Sequence, residues 1–180
     1  MNKADLLTLL INFSSILDPL LTLLVILSTI TGVVMVVQGL MNAYALNLNN
    51  GRSNATVSGI LWSLFIGGVL VAPIYTVQIF GNTLLDVSVN SSSLLYQGVG
   101  LTDTQRQAVK AIFGLFSITG FIAFYRGWVT LNKHFNGVIK DGAGMGMTFV
   151  VGGVLLIYLD VLLDIVGEKA GFDFTKVLTF

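Results

Sequence analysis

The chain has no cysteine. Disulfides, thiolate metal sites and a thiol nucleophile are therefore excluded. Charge is scarce as well: 10% of the 180 residues are charged, with nine basic and nine acidic side chains and a formal net charge of zero. A soluble domain carries about 25%, so this chain has too little polar surface to cover itself in water. No basic excess marks a soluble nucleic-acid-binding domain. There is one histidine, His134, and two prolines. The histidine lies beside Lys133 with no cluster of further ligands, so a metal site is not expected. No Ser/His/Asp arrangement occurs, and GVIKDGAGMGM is not a GxxxxGK[ST] loop. An enzyme is not expected. There is also no basic n-region followed by a short apolar run and a cleavage site, so no removable leader is expected.

Apolar residues make up 54% of the chain, and its mean hydropathy is +0.87. Uncharged runs cover 19–51, 53–85, 111–125 and 142–159. A helix needs roughly 20 mostly apolar residues to cross the hydrocarbon of a bilayer. In lipid every backbone N–H and C=O must find a partner within its own segment. The expected fold is an all-α integral membrane bundle of four spans, near 20–44, 57–80, 109–131 and 145–166. The spans form two hairpins, preceded by an N-terminal interfacial helix over 3–17. Asp18-Pro19 has the form of an N-cap followed by a first-turn proline, and Pro73 is expected to kink the second span. The whole of 1–180 reads as one membrane domain. It divides into 1–81 with the interfacial helix and first hairpin, a polar loop over 82–104, and 105–180 with the second hairpin and tail.

Glycine is abundant, with 20 residues. Spans in lipid associate by close packing and interhelical hydrogen bonds rather than by water exclusion. Gly32 and Gly39 recur as Gly120 and Gly127, and IGGVL at 66–70 recurs as VGGVL at 151–155. The echo predicts two parallel hairpin repeats. Gly32, Gly39, Gly67, Gly68, Gly120, Gly127, Gly152 and Gly153 are the expected packing positions, some of them facing copies of the same chain. Gly153→Leu is expected to block transfer while the chain still inserts.

Charged residues mark the ends of the spans. Arg52, Arg126, Lys133, His134 and Lys140 read as basic tips facing headgroups or a lumen, and their positive charge favours the cytoplasmic side. Asp160 and Asp164 stand one turn apart late in the fourth span. Intramembrane acids are costly and hint at function. At a span end, though, the plainer role is to reach the interface or pair with Lys169, Arg106 or Lys110.

Arg126-Gly127, His134, the glycine-rich 142–146, Gly152-Gly153 and Asp160 follow one another in FYRGWVTLNKH and GAGMGMTFVVGGVLLIYLD, with Pro73 and Asn82-Thr83 earlier. This order resembles the small multi-span membrane proteins of type IVB secretion and IncI-type conjugation systems, the IcmC/DotE and TraQ families. The resemblance implies a non-enzymatic subunit of a conjugation or secretion apparatus in a bacterial inner membrane. Two assemblies fit: an inner-membrane channel component, or a pilin-like subunit of a hollow extracellular filament. Partners would be copies of the chain, other components of the apparatus, phospholipid retained as a structural companion, and a transiting nucleic acid held without base reading. No catalytic cofactor is implied. A small ion or proton channel using Asp160 and Asp164 is the alternative.

Overall fold

The computed structural model describes residues 3–48, 56–85 and 103–170, and these are 93% helix with no strand. Six helices follow in order: α1 (Lys3–Leu48), α2 (Val57–Val71), α3 (Pro73–Leu85), α4 (Asp103–Phe135), α5 (Gly142–Ile157) and α6 (Leu159–Ala170). Helices α1 and α4 are each long and apolar enough to cross a bilayer. The pairs α2/α3 and α5/α6 also qualify when each is taken as one bent span.

Helix α1 has 46 residues and is roughly 69 Å long at 1.5 Å per residue. The helix expected over 3–17 is not a separate element. Pro19 lies inside α1, so Asp18 does not begin a new helix. Pro19 faces outward, and the hydroxyl of Thr22 donates to the Asp18 carbonyl at 2.9 Å. Side-chain hydroxyls of this kind help apolar helices carry a proline. One stripe of α1 is buried: Leu17, Leu21, Ser28, Gly32, Met35 and Gly39. Ile26, Ile30, Val33, Val34 and Val37 are about half exposed. Such an apolar surface is an aggregation liability in water and is ordinary in lipid.

Helix α4 is the central element. It packs against α1, α2, α5 and α6 and buries Phe121, Phe124, Trp128 and Leu131. Trp128 lies edge-on to Phe65, Phe80 and Phe124, with centroids 6.0 to 6.1 Å away. Its indole N–H is buried without an acceptor. Helix α4 ends in a Schellman turn. Gly137 has φ 74°, Gly137 N–H donates to His134 O, and Val138 N–H donates to Lys133 O, both at 2.9 Å. Glycine suits this left-handed position because it carries no Cβ.

Both bent pairs break. Helices α2 and α3 meet at 95° around Ala72, and α5 and α6 at 76° around Tyr158. The first break is the kink expected at Pro73. The second has no proline and was not expected: the run over 145–166 is not one straight span. Proline removes a backbone donor and frees a carbonyl one turn back. Here that carbonyl, Val69 O, accepts from the Thr76 hydroxyl at 3.1 Å. Ser28 and Thr29 on α1 donate to Leu70 O and Val71 O, each at 3.3 Å. At the second break Ser117 on α4 donates to Ile157 O at 3.3 Å. Hydroxyls from the neighbouring helix thus satisfy carbonyls that a broken helix leaves open.

The loop expected over 82–104 is partly helical, since α3 runs to Leu85 and α4 starts at Asp103. The stretch over 49–55, with Arg52, the loop over 86–102 and the tail over 171–180 lie outside the described residues.

Candidate functional site

The two hairpins are built on the same contacts. In α1/α2, a Cβ on Gly32 would lie 2.7 Å from Gly67 O and from Val71 N, and one on Gly67 would lie 3.0 Å from Val36 N. In α4/α5, a Cβ on Gly120 would lie 2.6 Å from Gly153 O and 2.8 Å from Ile157 N, and one on Gly153 would lie 2.6 Å from Phe124 N. Gly39 faces Leu64, and Gly127 faces Val150 in the same way. The hydroxyl bonds match too: Thr29 to Val71 O corresponds to Ser117 to Ile157 O. The two breaks occupy matching places, with Ala72-Pro73 in the position of Tyr158-Leu159.

The match differs from the sequence echo by one residue. Aligning IGGVL with VGGVL pairs Gly67 with Gly152, whereas the geometry pairs Gly67 with Gly153. A Cβ on Gly68, Gly144 or Gly152 would meet nothing within 4 Å. Each Gly-Gly pair therefore presents one glycine to its own hairpin and one outward. Gly144, Thr148 and Gly152 are spaced four apart on the outer side of α5, and the Thr148 hydroxyl is tied to Gly144 O at 2.9 Å.

The hairpins meet along α1 and α4, which run parallel. Leu17 and Leu21 pack on Ile118 at one end, where Lys110 also pairs with Asp18 at 3.4 Å. Thr31 bonds Tyr125 midway at 3.1 Å. Towards the tips, Ser63 on α2 donates to the Asn132 side-chain oxygen at 2.9 Å. The Asn136 amide donates to Ser63 Oγ at 2.8 Å and to Asn132 Oδ1 at 3.0 Å. Trp62 stacks on Phe135 beside them, with centroids 4.0 Å apart and planes within 5°.

This triangle forms one wall of a cleft of about 590 Å³ between α1, α2 and α4. Gln38, Asn42, Asn132, Asn136 and Lys133 line it on the polar side, and Met35 and Val129 on the apolar side. Its size falls within the range of small-molecule sites, roughly 300–1,000 Å³. The lining offers amide and hydroxyl hydrogen bonds and one ammonium. Among the described residues no group of His and carboxylate side chains is placed to hold a metal. The cleft was not anticipated from the sequence. A usable signal was present: Gln38/Asn42 and Asn132/Asn136 are polar pairs four apart in apolar helices, and such pairs share a face. Ser63→Ala removes the hydroxyl at the centre of the triangle. It is expected to cost about 0.5–2 kcal/mol of hairpin association, measured by steric trapping in bicelles, with the hairpin folds intact.

The remaining expected site residues disperse. Lys133 reaches the cleft, and Lys140 is exposed in the turn between α4 and α5. His134 Nδ1 lies 3.0 Å from Ile139 O, with its ring against Phe135. Arg126 is not at a tip: it sits inside α4, nine residues before Phe135, with Cζ 5.2 Å from the centre of the Phe149 ring. Asp160 lies in the first turn of α6, beyond the break, and Asp164 is one turn further along the same short helix. The acids therefore stand on a helix turned away from α5. Comparison with family models, curated proteins and solved structures finds no match for this chain.

Proposed function

We propose that this chain is a non-enzymatic membrane subunit that works by assembling with copies of itself into a transfer conduit of a type IVB-like conjugation or secretion apparatus. Apolar helices make it a membrane-associated protein. The observation that carries the proposal is the outward stripe Gly144-Thr148-Gly152, with Gly68 outward on α2. Small residues spaced four apart let helix backbones approach closely in lipid. This stripe is left open after the hairpins have packed their other glycines. The resemblance supplies the apparatus, in a bacterial inner membrane. Two forms of assembly follow: an inner-membrane channel component, or a pilin-like subunit of an extracellular filament. In either form the four helical passes would be α1, α2/α3, α4 and α5/α6, with Lys133, His134 and Lys140 at one end. Retained phospholipid and a nucleic acid passing by its phosphates suit that basic end. The test is the oligomeric form in nanodiscs, with electron microscopy of sheared extracellular material. Filaments containing the chain select the pilin form, and rings confined to the inner membrane select the channel form. A solitary subunit in lipid overturns both.

The matching breaks favour a second reading. Helices interrupted at corresponding places in two repeats are a mark of transport sites. On that reading the chain is a small ion or proton conduit using Asp160 and Asp164. Asp160→Asn and Asp164→Asn are then expected to abolish flux in proteoliposomes. Flux that is absent from the wild type, or unchanged in both variants, rejects this reading.

A further inference from the structure

Between Lys110 and Lys133, α4 carries one charge, Arg126. Its apolar stretch is Val109–Phe135. Arg126 lies four residues beyond the centre of that stretch, about 6 Å along the axis. If α4 spans, the Arg126 backbone is well inside a hydrocarbon core about 30 Å thick. A helical side chain leans toward its own N-terminus, so Arg126 leans toward the bilayer centre and away from the nearer tip. Snorkelling to the headgroups is opposed by that direction.

The side chain is exposed on the outside of the molecule. Phe149 on α5 lies beneath the guanidinium at 5.2 Å. The Lys110–Asp18 ion pair lies well away from it, towards the other end of α4. A ring face returns part of the desolvation cost of a guanidinium but leaves its donors without acceptors. Arginines inside membranes pair with acids or carbonyls, or face water, and mark functional contacts.

Among the described helices no acid stands level with Arg126: Asp18 and Asp103 lie towards the opposite end, Asp141 precedes α5, and α6 with its acids lies beyond the break. The sequence has no acidic residue between Asp18 and Asp86, or between Asp103 and Asp141, and none from Gly142 to Leu159. Copies related by an axis along the membrane normal present the same depths to one another, so the described helices of a copy offer Arg126 no carboxylate. We propose that the outer face carrying Arg126, Ile122, Met145 and Phe149 docks a transmembrane helix of another protein that bears an Asp or Glu near its middle. Ile122 and Met145 are about half exposed and flank the guanidinium with apolar surface suited to a helix side. The carboxylate would accept the guanidinium donors, and Phe149 would hold the guanidinium plane from below. This rests on α4 being a span, and it adds a partner distinct from the copies proposed above.

The test reconstitutes the full chain in phosphatidylcholine vesicles with three host helices of about 20 mostly leucine residues, carrying Asp, Leu or Lys at the middle. Association is read by energy transfer. The Asp helix is expected to bind at least about tenfold more tightly than the Leu helix, the Lys helix no better than the Leu helix, and Arg126→Leu to erase the preference. Equal binding of the Asp and Leu helices, or a preference that survives Arg126→Leu, overturns the proposal. So does a drop in self-association of Arg126→Leu, which would place a copy on this face. Failure of the spanning reading is told apart by depth measurement. The chain has no cysteine, so Ile122→Cys takes a single spin label. Deep oxygen-accessible placement of that label confirms a span and isolates the docking claim, and shallow placement overturns both.

Discussion

Gly153→Leu is expected to pull α5 away from α4, while Gly152→Leu leaves the hairpin intact and weakens contact between copies. The two positions are neighbours in sequence and opposite in setting. A Cβ at Gly153 would sit 2.6 Å from both Gly120 O and Phe124 N, which are backbone atoms of a rigid helix. Nothing flexible can yield, so the axes must separate along the whole contact. Phe124, Val150, Val154 and Ile157, all buried in the common core, then lose packing together. The expected loss exceeds about 3 kcal/mol. At Gly152 a Cβ meets nothing within 4 Å, so the larger side chain lies on the outer surface. Spin labels on the exposed Ile122 and Val151 measure the outcome by dipolar spectroscopy. The distance is expected to widen and broaden in Gly153→Leu and to keep its wild-type value in Gly152→Leu, whose oligomer fraction falls instead. A wild-type distance in Gly153→Leu would show that the α4–α5 contact tolerates side-chain volume. The sequence alone leaves Gly152 and Gly153 undivided between hairpin packing and contact with copies; the geometry puts Gly153 inside the hairpin and leaves Gly152 for the copies.

Proline is expected to be tolerated at Leu159 and not at Val154. Leu159 begins α6 after the break and stands where Pro73 stands in the first hairpin. The first turn of a helix lacks an internal acceptor for its N–H, so proline removes little there. A following proline pushes the preceding residue out of the helical region. Tyr158 already has φ −103° and ψ 32°, and Ala72 before Pro73 has φ −121° and ψ 62°. The required change is a modest rotation, and Leu159→Pro is expected within about 1 kcal/mol of wild type. Val154 is fully buried inside α5, and proline there breaks a helix bond and clashes with the preceding turn, a loss of about 3 kcal/mol or more. Reversible unfolding in mixed micelles, followed by circular dichroism, compares the two. Equal destabilisation would mean that the bend at Tyr158 is an ordinary stretch of helix.

The long helices could be read from the sequence because charge-free runs and hydrocarbon thickness constrain them jointly. Pro73 announced its break because a missing donor is a property of one residue. Tyr158 gave no such notice. Its bend is fixed by tertiary partners: the Ser117 hydroxyl at Ile157 O, and Gly81 of α3 seated on the Tyr158 ring. The glycine echo identified the repeat, but in the wrong register. Gly67-Gly68 and Gly152-Gly153 look alike in sequence, and helix phase alone decides which member turns inward. Arg126 reads as a tip because it is the first charge after the uncharged run over 111–125, yet α4 continues for nine residues past it to Phe135. The cleft was missed because amides in apolar helices draw less notice than charges, although Ser63, Asn132 and Asn136 converge from two helices. Pro19 misled in the opposite direction, since an outward-facing proline in a long apolar helix need not start or stop it.

The unbroken run of α1 has a mechanical consequence. At roughly 69 Å it is more than twice the height of the oily layer, so as a span it would either lean steeply or stand out of the membrane like a mast. Because α1 continues through Pro19 as one helix, a push on the outer shaft would be felt at the seam where Gly32 lies on Gly67. Any neighbour that grips the shaft would hold a handle on the first hairpin, and the described length of α4, 33 residues against 46, makes a shorter one on the second.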